Sequence, residues 1–373
     1  MLSRALDFQS DHQAAGSRNR ERWKGKERKN NIHTLSKNLS YDWINPNSKS
    51  ASQVFKRWDF LQLVMRIVSF LPSATETLYE LGAGNQIVGV THECKYPSQA
   101  RKKPQVIRPS FDPSRMTGRD IDSKIVELMR SGKDIYSVDE NLLKRICPDL
   151  IVAQGLCEVC SPFTKEINKA VSLLGDRQPD VLVLDPHDLD DILVSIMEVA
   201  DKIDKVMEGR KLVASLQKRI EMVRSRKTKR NPKVLCVEWI DPLFTAGHWV
   251  PQMVEYAGGT NGLSSAGEPS RRMDVDEAVQ LNPDIIVLMP CGFDIEQTLR
   301  ELPALARNEK WKSLEAVKNG NVYAVNANEY FSKPGPRTVI GLEIMAKILH
   351  PETSQQIRVP KGSYKKISKV LLR

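Results

Sequence analysis

The sequence predicts an α/β chain of two lobes, each built on a mostly parallel sheet, joined by one long rigid α-helix. Three observations predict it. Short apolar runs rich in β-branched residues recur from Arg66 to Val325 and alternate with helical patterns. That alternation occurs twice, over roughly 66–185 and 232–350. One amphipathic period fills the interval between the two stretches.

In chain order, residues 1–62 are polar, rich in Ser, Asn, Arg and Lys, and lack a sustained hydrophobic period, which predicts a disordered basic extension. The first lobe, 63–186, opens with a strand over Arg66–Phe70, and a helix start at Ser73 follows, with Glu76 three residues on in capping-box register. Gly82-Ala-Gly84 reads as that helix's C-terminal cap. Strands then follow at Gln86–Thr91, Asp149–Ala153 and Asp180–Leu184, with a second helix start at Asp139. Over 187–228 apolar residues fall at Leu189, Ile192, Leu193, Ile196, Val199, Ile203, Val206, Leu212, Leu216, Ile220 and Val223. This 3.6-residue period predicts a single stiff strut of about 50 Å. The second lobe, 229–352, carries strands at Lys233–Val237, Asp284–Met289 and Asn321–Val325; residues 353–373 read as a basic tail. Strands alternating with helices make both lobes Rossmann-like, with a ligand cleft expected between them.

Composition narrows the function. The chain has 373 residues, 40% hydrophobic and 27% charged, enough for two buried cores. Its net charge of +10 sits at the ends: residues 1–65 hold twelve Lys/Arg against six Asp/Glu, and 351–373 hold six against one. The folded middle is close to neutral, so no phosphate-binding face is built there, and no nucleic-acid partner is expected. No apolar run approaches the roughly 20 residues that span a bilayer. Leu61–Leu71 is interrupted by Arg66 and lacks a secretory cleavage pattern, so the chain is expected inside the cell, in the cytoplasm. Organelle targeting by the extension stays open, although Asp7, Asp11, Glu21 and Glu27 argue against it. In that reducing compartment the six cysteines are expected as free thiols or soft-metal ligands.

Ligands of open parallel sheets bind beyond the carboxyl ends of the strands. Thiols, imidazoles and aromatics collect there. The first lobe supplies Ser73, His92, Glu93, Tyr96 and the pair Cys157-x-x-Cys160. The second supplies Glu238, Trp239, His248, Trp249, Arg271, Arg272, Phe293, Tyr330, Phe331 and Arg337. Plain turns would favour Gly, Asn, Asp and Pro instead. The aromatics suit stacking on a planar ligand, and Arg271-Arg272 suits an anion clamp. His92, Cys94, Cys157, Cys160, His248 and Cys291 are the candidate set for a metal ion. No Ser/His/Asp order, HExxH pattern or phosphate-cradling loop is present, so no catalytic residue is assigned. The alternative is a metal-dependent, zinc-like intracellular enzyme or metal-binding protein on the same fold.

Arg66-Ile-Val-Ser-Phe-Leu-Pro-Ser-Ala-Thr-Glu76, then Val88-Gly-Val-Thr-His92, and late in the chain Asn321-Val-Tyr-Ala-Val325, resemble the iron-siderophore/cobalamin periplasmic-binding family. Those proteins are the helical-backbone solute-binding components of ABC importers. His92-Glu-Cys94, Leu156-Cys-Glu-Val-Cys160, Gly247-His-Trp-Val-Pro251, Gly267-Glu-Pro-Ser-Arg-Arg272 and Pro334-Gly-Pro-Arg337 are similar to a cobalamin-binding branch. The resemblance covers about 66–350 and implies a non-catalytic, monomeric clamp for a corrinoid, haem or ferric chelate. It further implies an ABC permease as partner, with Glu76 and Glu255 as the docking acids of the two lobes.

Overall fold

The computed structural model describes residues 64–155, 164–175 and 177–372. The first sheet has the order β4-β3-β2-β1-β5-β6. Its strands are β1 (Ile67–Ser69), β2 (Ile87–Thr91), β3 (Gln105–Pro109), β4 (Tyr136–Val138), β5 (Leu150–Gln154) and β6 (Asp180–Leu184). All neighbours are parallel except β3 and β4. The near-continuous apolar sequence of its central strands follows from burial on both faces. Ile67, Leu150 and Val152 face one core, whereas Val68, Ile151 and Ala153 face the other.

The second sheet runs β10-β8-β7-β11-β12-β13, with β9 (Thr260–Asn261) also paired to β7. Its parallel centre is β7 (Lys233–Trp239), β11 (Ile285–Leu288) and β12 (Val322–Val325). The antiparallel edges are β8 (Phe244–Thr245), β10 (Arg271–Arg272) and β13 (Tyr364–Lys366). The strand β13 corrects the expectation of a solvated tail over 353–373: Lys366, Lys365 and Tyr364 pair with Tyr323, Ala324 and Val325, and Ile357 and Ile367 are buried. A chain rich in lysine can still form an edge strand, because its charges stay in water on the outer face.

The strut is two helices, not one. Leu189–Lys202 is followed by Val206–Arg224, with a break at Ile203–Lys205 where Asp204 adopts φ 56°. Gly209 at the start of the second helix lies against Ala200 and Met197 of the first, where an added Cβ would stand 2.5 Å from the Ala200 Cβ. The apolar period crosses the break undisturbed because both helices bury their stripe in the same second-lobe core, through Leu189, Ile192, Leu193 and Ile196 and through Leu216, Ile220 and Val223. Val199, Ala200 and Ile203 pack instead into the first-lobe core. Leu189–Lys202 thus joins both cores at a length of about 21 Å. Residues 1–62, expected to be disordered, lie outside the described residues.

Candidate functional site

The carboxyl ends of the two parallel sheets meet at a lobe boundary crossed by two groups of polar contacts. The first group begins with Glu76. Its helix starts at Pro72, after Leu71, and no side chain caps it. The Glu76 carboxylate therefore does not complete the expected capping box; it receives Arg337 Nε and Nη2 at 2.9 and 2.6 Å. Both partners are nearly enclosed, with side chains 3% and 11% exposed. Burial pushes the Glu76 carboxyl upward, and Arg337 pulls it back. The Arg337 guanidinium also lies 4.0 Å over the exposed Tyr96 ring. Lys333 Nζ stands 3.8 Å from Glu93, whose carboxyl is pushed up by burial but brought below its usual value by Lys333 and Lys95.

The second group surrounds the helix Gly118–Arg130, which lies in the long connection between β3 and β4. Gly118 donates its N–H to Glu301 Oε2 at 3.2 Å and accepts from Trp239 Nε1 at 3.3 Å. Arg119 grips Asp241 with two 2.8 Å bonds, and Arg272 reaches Asp122 at 3.0 and 3.1 Å.

Trp239, at the end of β7 and part of this second group, packs on Phe293 beyond β11, with ring centroids 5.2 Å apart and planes at 59°. Within the first lobe His92 lies 6.2 Å from Tyr136, and burial lowers the His92 pKa. The Glu238 carboxyl accepts from the Ser270 hydroxyl, whose oxygen in turn accepts from the Gly247 amide at 3.0 Å, while burial raises the Glu238 pKa. His248 sits in the left-handed region at φ 53°, stacked on Trp249 and 6.2 Å from His187.

Burial holds the His248 pKa at about 4, against an ordinary 6.5. An unfolded chain therefore takes up a proton on this ring before the folded chain does. His248 contributes stability above pH 6.5 that is lost as pH falls from 6.5 toward 4. Its ring protons followed by NMR are expected to titrate near pH 4; a midpoint near 6.5 would show that the ring is open to water.

Several expected ligand contacts are instead structural. Trp249 is 5% exposed and donates Nε1 to the Phe331 carbonyl at 2.9 Å. Phe331 and Tyr330 are buried in the same core. Ser73 is buried, with Gly335 of the other lobe packed on it. Arg271 binds Glu277 at 2.7 Å and Arg272 binds Asp122, so neither is a free anion clamp. Glu76, enclosed against Arg337, is not presented for docking, whereas Glu255 is exposed on the helix Val250–Tyr256.

Among the described residues no group of three or more His, Cys, Asp or Glu is placed to hold a metal ion. Cys94 is buried, accepts a hydrogen bond from Thr75 at 3.0 Å, and burial pushes its thiol up, away from the thiolate that metals need. Cys291 is partly exposed, and its N–H is bound to the Glu238 carbonyl. Cys157 and Cys160 lie outside the described residues. Sequence reasoning did not single out Lys333 within its loop. It also missed Gly118, Arg119, Asp122, Asp241 and Glu301, where Thr117 and Asp120 in capping spacing are the only local signal.

A family model described as "Periplasmic binding protein" matches residues 67–329. Similar proteins include an uncharacterised ABC transporter substrate-binding lipoprotein of Bacillus subtilis, 24% identical over 78% of this chain and 82% of that protein. A vitamin B12-binding protein of Vibrio cholerae is 23% identical over 74% and 86%. Among solved structures, the periplasmic vitamin B12-binding protein of Vibrio cholerae superposes with a TM-score of 0.53 at 22% identity, covering 78% of this chain and 98% of its own. A periplasmic heme-binding protein from Pseudomonas aeruginosa gives 0.58 at 16%, covering 82% and 96%. These likenesses establish the two-lobed fold.

The matched proteins are named as binding proteins, the Bacillus subtilis relative as the substrate-binding lipoprotein of an ABC transporter. They correct the expectation of a cytoplasmic chain, because proteins of this kind are periplasmic or extracellular lipoproteins. That expectation rested on Leu61–Leu71, an apolar run interrupted by Arg66 without a cleavage pattern, and nothing in the folded part marks the compartment, because a nearly neutral surface suits water on either side of a membrane. No described helix is long and apolar enough to cross one.

Proposed function

We propose that this chain, which belongs to the periplasmic binding protein family, closes its lobes on a bulky, flat, tetrapyrrole-like ligand, a corrinoid or haem. The observation that carries the reading is the Trp239–Phe293 pair at the lobe boundary, formed from the ends of two adjacent parallel strands. An apolar aromatic wall flanked by a few directed polar groups suits a large conjugated ring. His92, Tyr96 and Glu238 are the polar groups assigned to that ligand. Relatives named for vitamin B12 and for heme support the ligand class. Glu255 is the acid assigned to a permease.

Titration of the full chain with cyanocobalamin and with haemin, read by absorbance and calorimetry, tests the reading. Saturable one-to-one binding of one of them is expected, weakened at least tenfold by Trp239→Ala, because stacking and burial of an indole contribute a few kcal/mol. Absence of saturable binding by both would overturn it.

A further inference from the structure

We propose that the helix Gly118–Arg130 is a releasable lid over the Trp239–Phe293 pair, and that the ligand enters beneath it. The inference rests on the clamp reading and adds the route of entry and the residues that control it. Gly118 closes directly on the indole, its carbonyl accepting from Trp239 Nε1, and even a Cβ there would stand in contact, 3.2 Å from Glu301 Oε2 and 3.4 Å from Trp239 Nε1. A planar ring cannot reach that edge of Trp239 while Gly118 occupies it.

The two groups of cross-lobe contacts differ in how readily they part. Breaking the enclosed Glu76–Arg337 pair strands two charges away from water, which proteins strongly resist. The Arg119 side chain is 72% exposed and Asp241 23%, while Arg272 and Asp122 are 36% and 26% exposed. Both pairs are more open to water than Glu76–Arg337, so water can take over their partners and they separate at lower cost. The helix is also thinly packed: of its 13 residues only Gly118 and Leu128 are buried. Little apolar surface holds it down. The boundary therefore stays shut at Glu76 and opens at Gly118.

The full chain labelled with 5-fluorotryptophan, its Trp239 resonance assigned by Trp239→Phe, tests this without any ligand. The solvent-isotope shift of that fluorine between H2O and D2O reports water at the indole. The shift is expected to be small in the parent protein at low salt. It should rise in 0.5 M salt, and rise further in the Asp122→Asn/Asp241→Asn double variant, while the Trp249 and Trp311 resonances stay fixed. An unchanged Trp239 shift in the double variant overturns the lid. With haemin as probe, the double variant should associate roughly threefold to tenfold faster, the equivalent of two exposed ion pairs; an equal rate overturns the lid as a gate. Failure of the parent to bind haemin or cyanocobalamin would defeat the clamp reading, and the fluorine readout would still decide the lid.

Discussion

Replacing Arg337 by alanine is expected to lower the unfolding free energy of the chain by about 3–5 kcal/mol, the cost of leaving a buried carboxylate without its partner. The Glu76 side chain is 3% exposed and its two oxygens face Arg337 Nε and Nη2, so water cannot replace the guanidinium without parting the lobes. The loss should depend on pH in a defined direction. Burial already raises the Glu76 carboxyl pKa, and Arg337 opposes that rise. Without Arg337 the folded-state pKa rises further, so the variant binds a proton more readily folded than unfolded. Its penalty is then full at neutral pH and shrinks as acid protonates Glu76. Glu76→Gln should cost less, since Arg337 keeps Glu329 at 3.5 Å and stays stacked on Tyr96. Denaturant unfolding of both variants and of the double variant at pH 7 and pH 5 checks this. A cost below 1 kcal/mol for Arg337→Ala, or one that grows in acid, would sink the argument.

Gly247→Ala is the second change of large effect, expected to cost about 2–3 kcal/mol by overpacking. An added Cβ would lie 2.4 Å from the Glu268 carbonyl oxygen and 2.5 Å from the backbone of Pro269 and Ser270. These are backbone atoms and cannot swing aside as a side-chain tip would. Gly247 is not among the left-handed glycines, so the collision alone carries the penalty. Relief requires the 268–270 segment to retreat, which takes the Ser270 hydroxyl away from both the Gly247 amide and the Glu238 carboxyl. An unfolding midpoint within error of the parent would show that the segment yields freely.

The fold was largely legible in the sequence. The runs at Arg66–Phe70, Gln86–Thr91, Asp149–Ala153, Asp180–Leu184, Lys233–Val237, Asp284–Met289 and Asn321–Val325 all coincide with strands, within a residue or two at each end. Strands buried on both faces announce themselves as unbroken β-branched stretches. The strands that escaped notice, β3, β4, β8, β9, β10 and β13, are short, lie at or near edges, or mix charge with apolar residues, so no period marks them. The candidate site was legible only in part. The ends of β2, β7 and β11 do bring His92, Trp239 and Phe293 to the boundary, but Trp249, Tyr330 and Phe331 serve the core. An aromatic residue near a strand end looks the same in sequence whether it faces a ligand or a helix.

By itself, the sequence determined where apolar surface must be hidden, and hence two doubly covered sheets with a helical stretch between them, because burial periodicity is a property of neighbours in the chain. Only the tertiary structure decided that the strut breaks at Asp204, that Glu76 meets Arg337 rather than its own helix end, and that Arg272 reaches Asp122. Those pairs lie 261 and 150 residues apart. A charge carries no local mark of its partner: an exposed Glu and a Glu enclosed by a distant Arg have the same flanking residues, and only the packing of the lobes removes the water that would otherwise have solvated both.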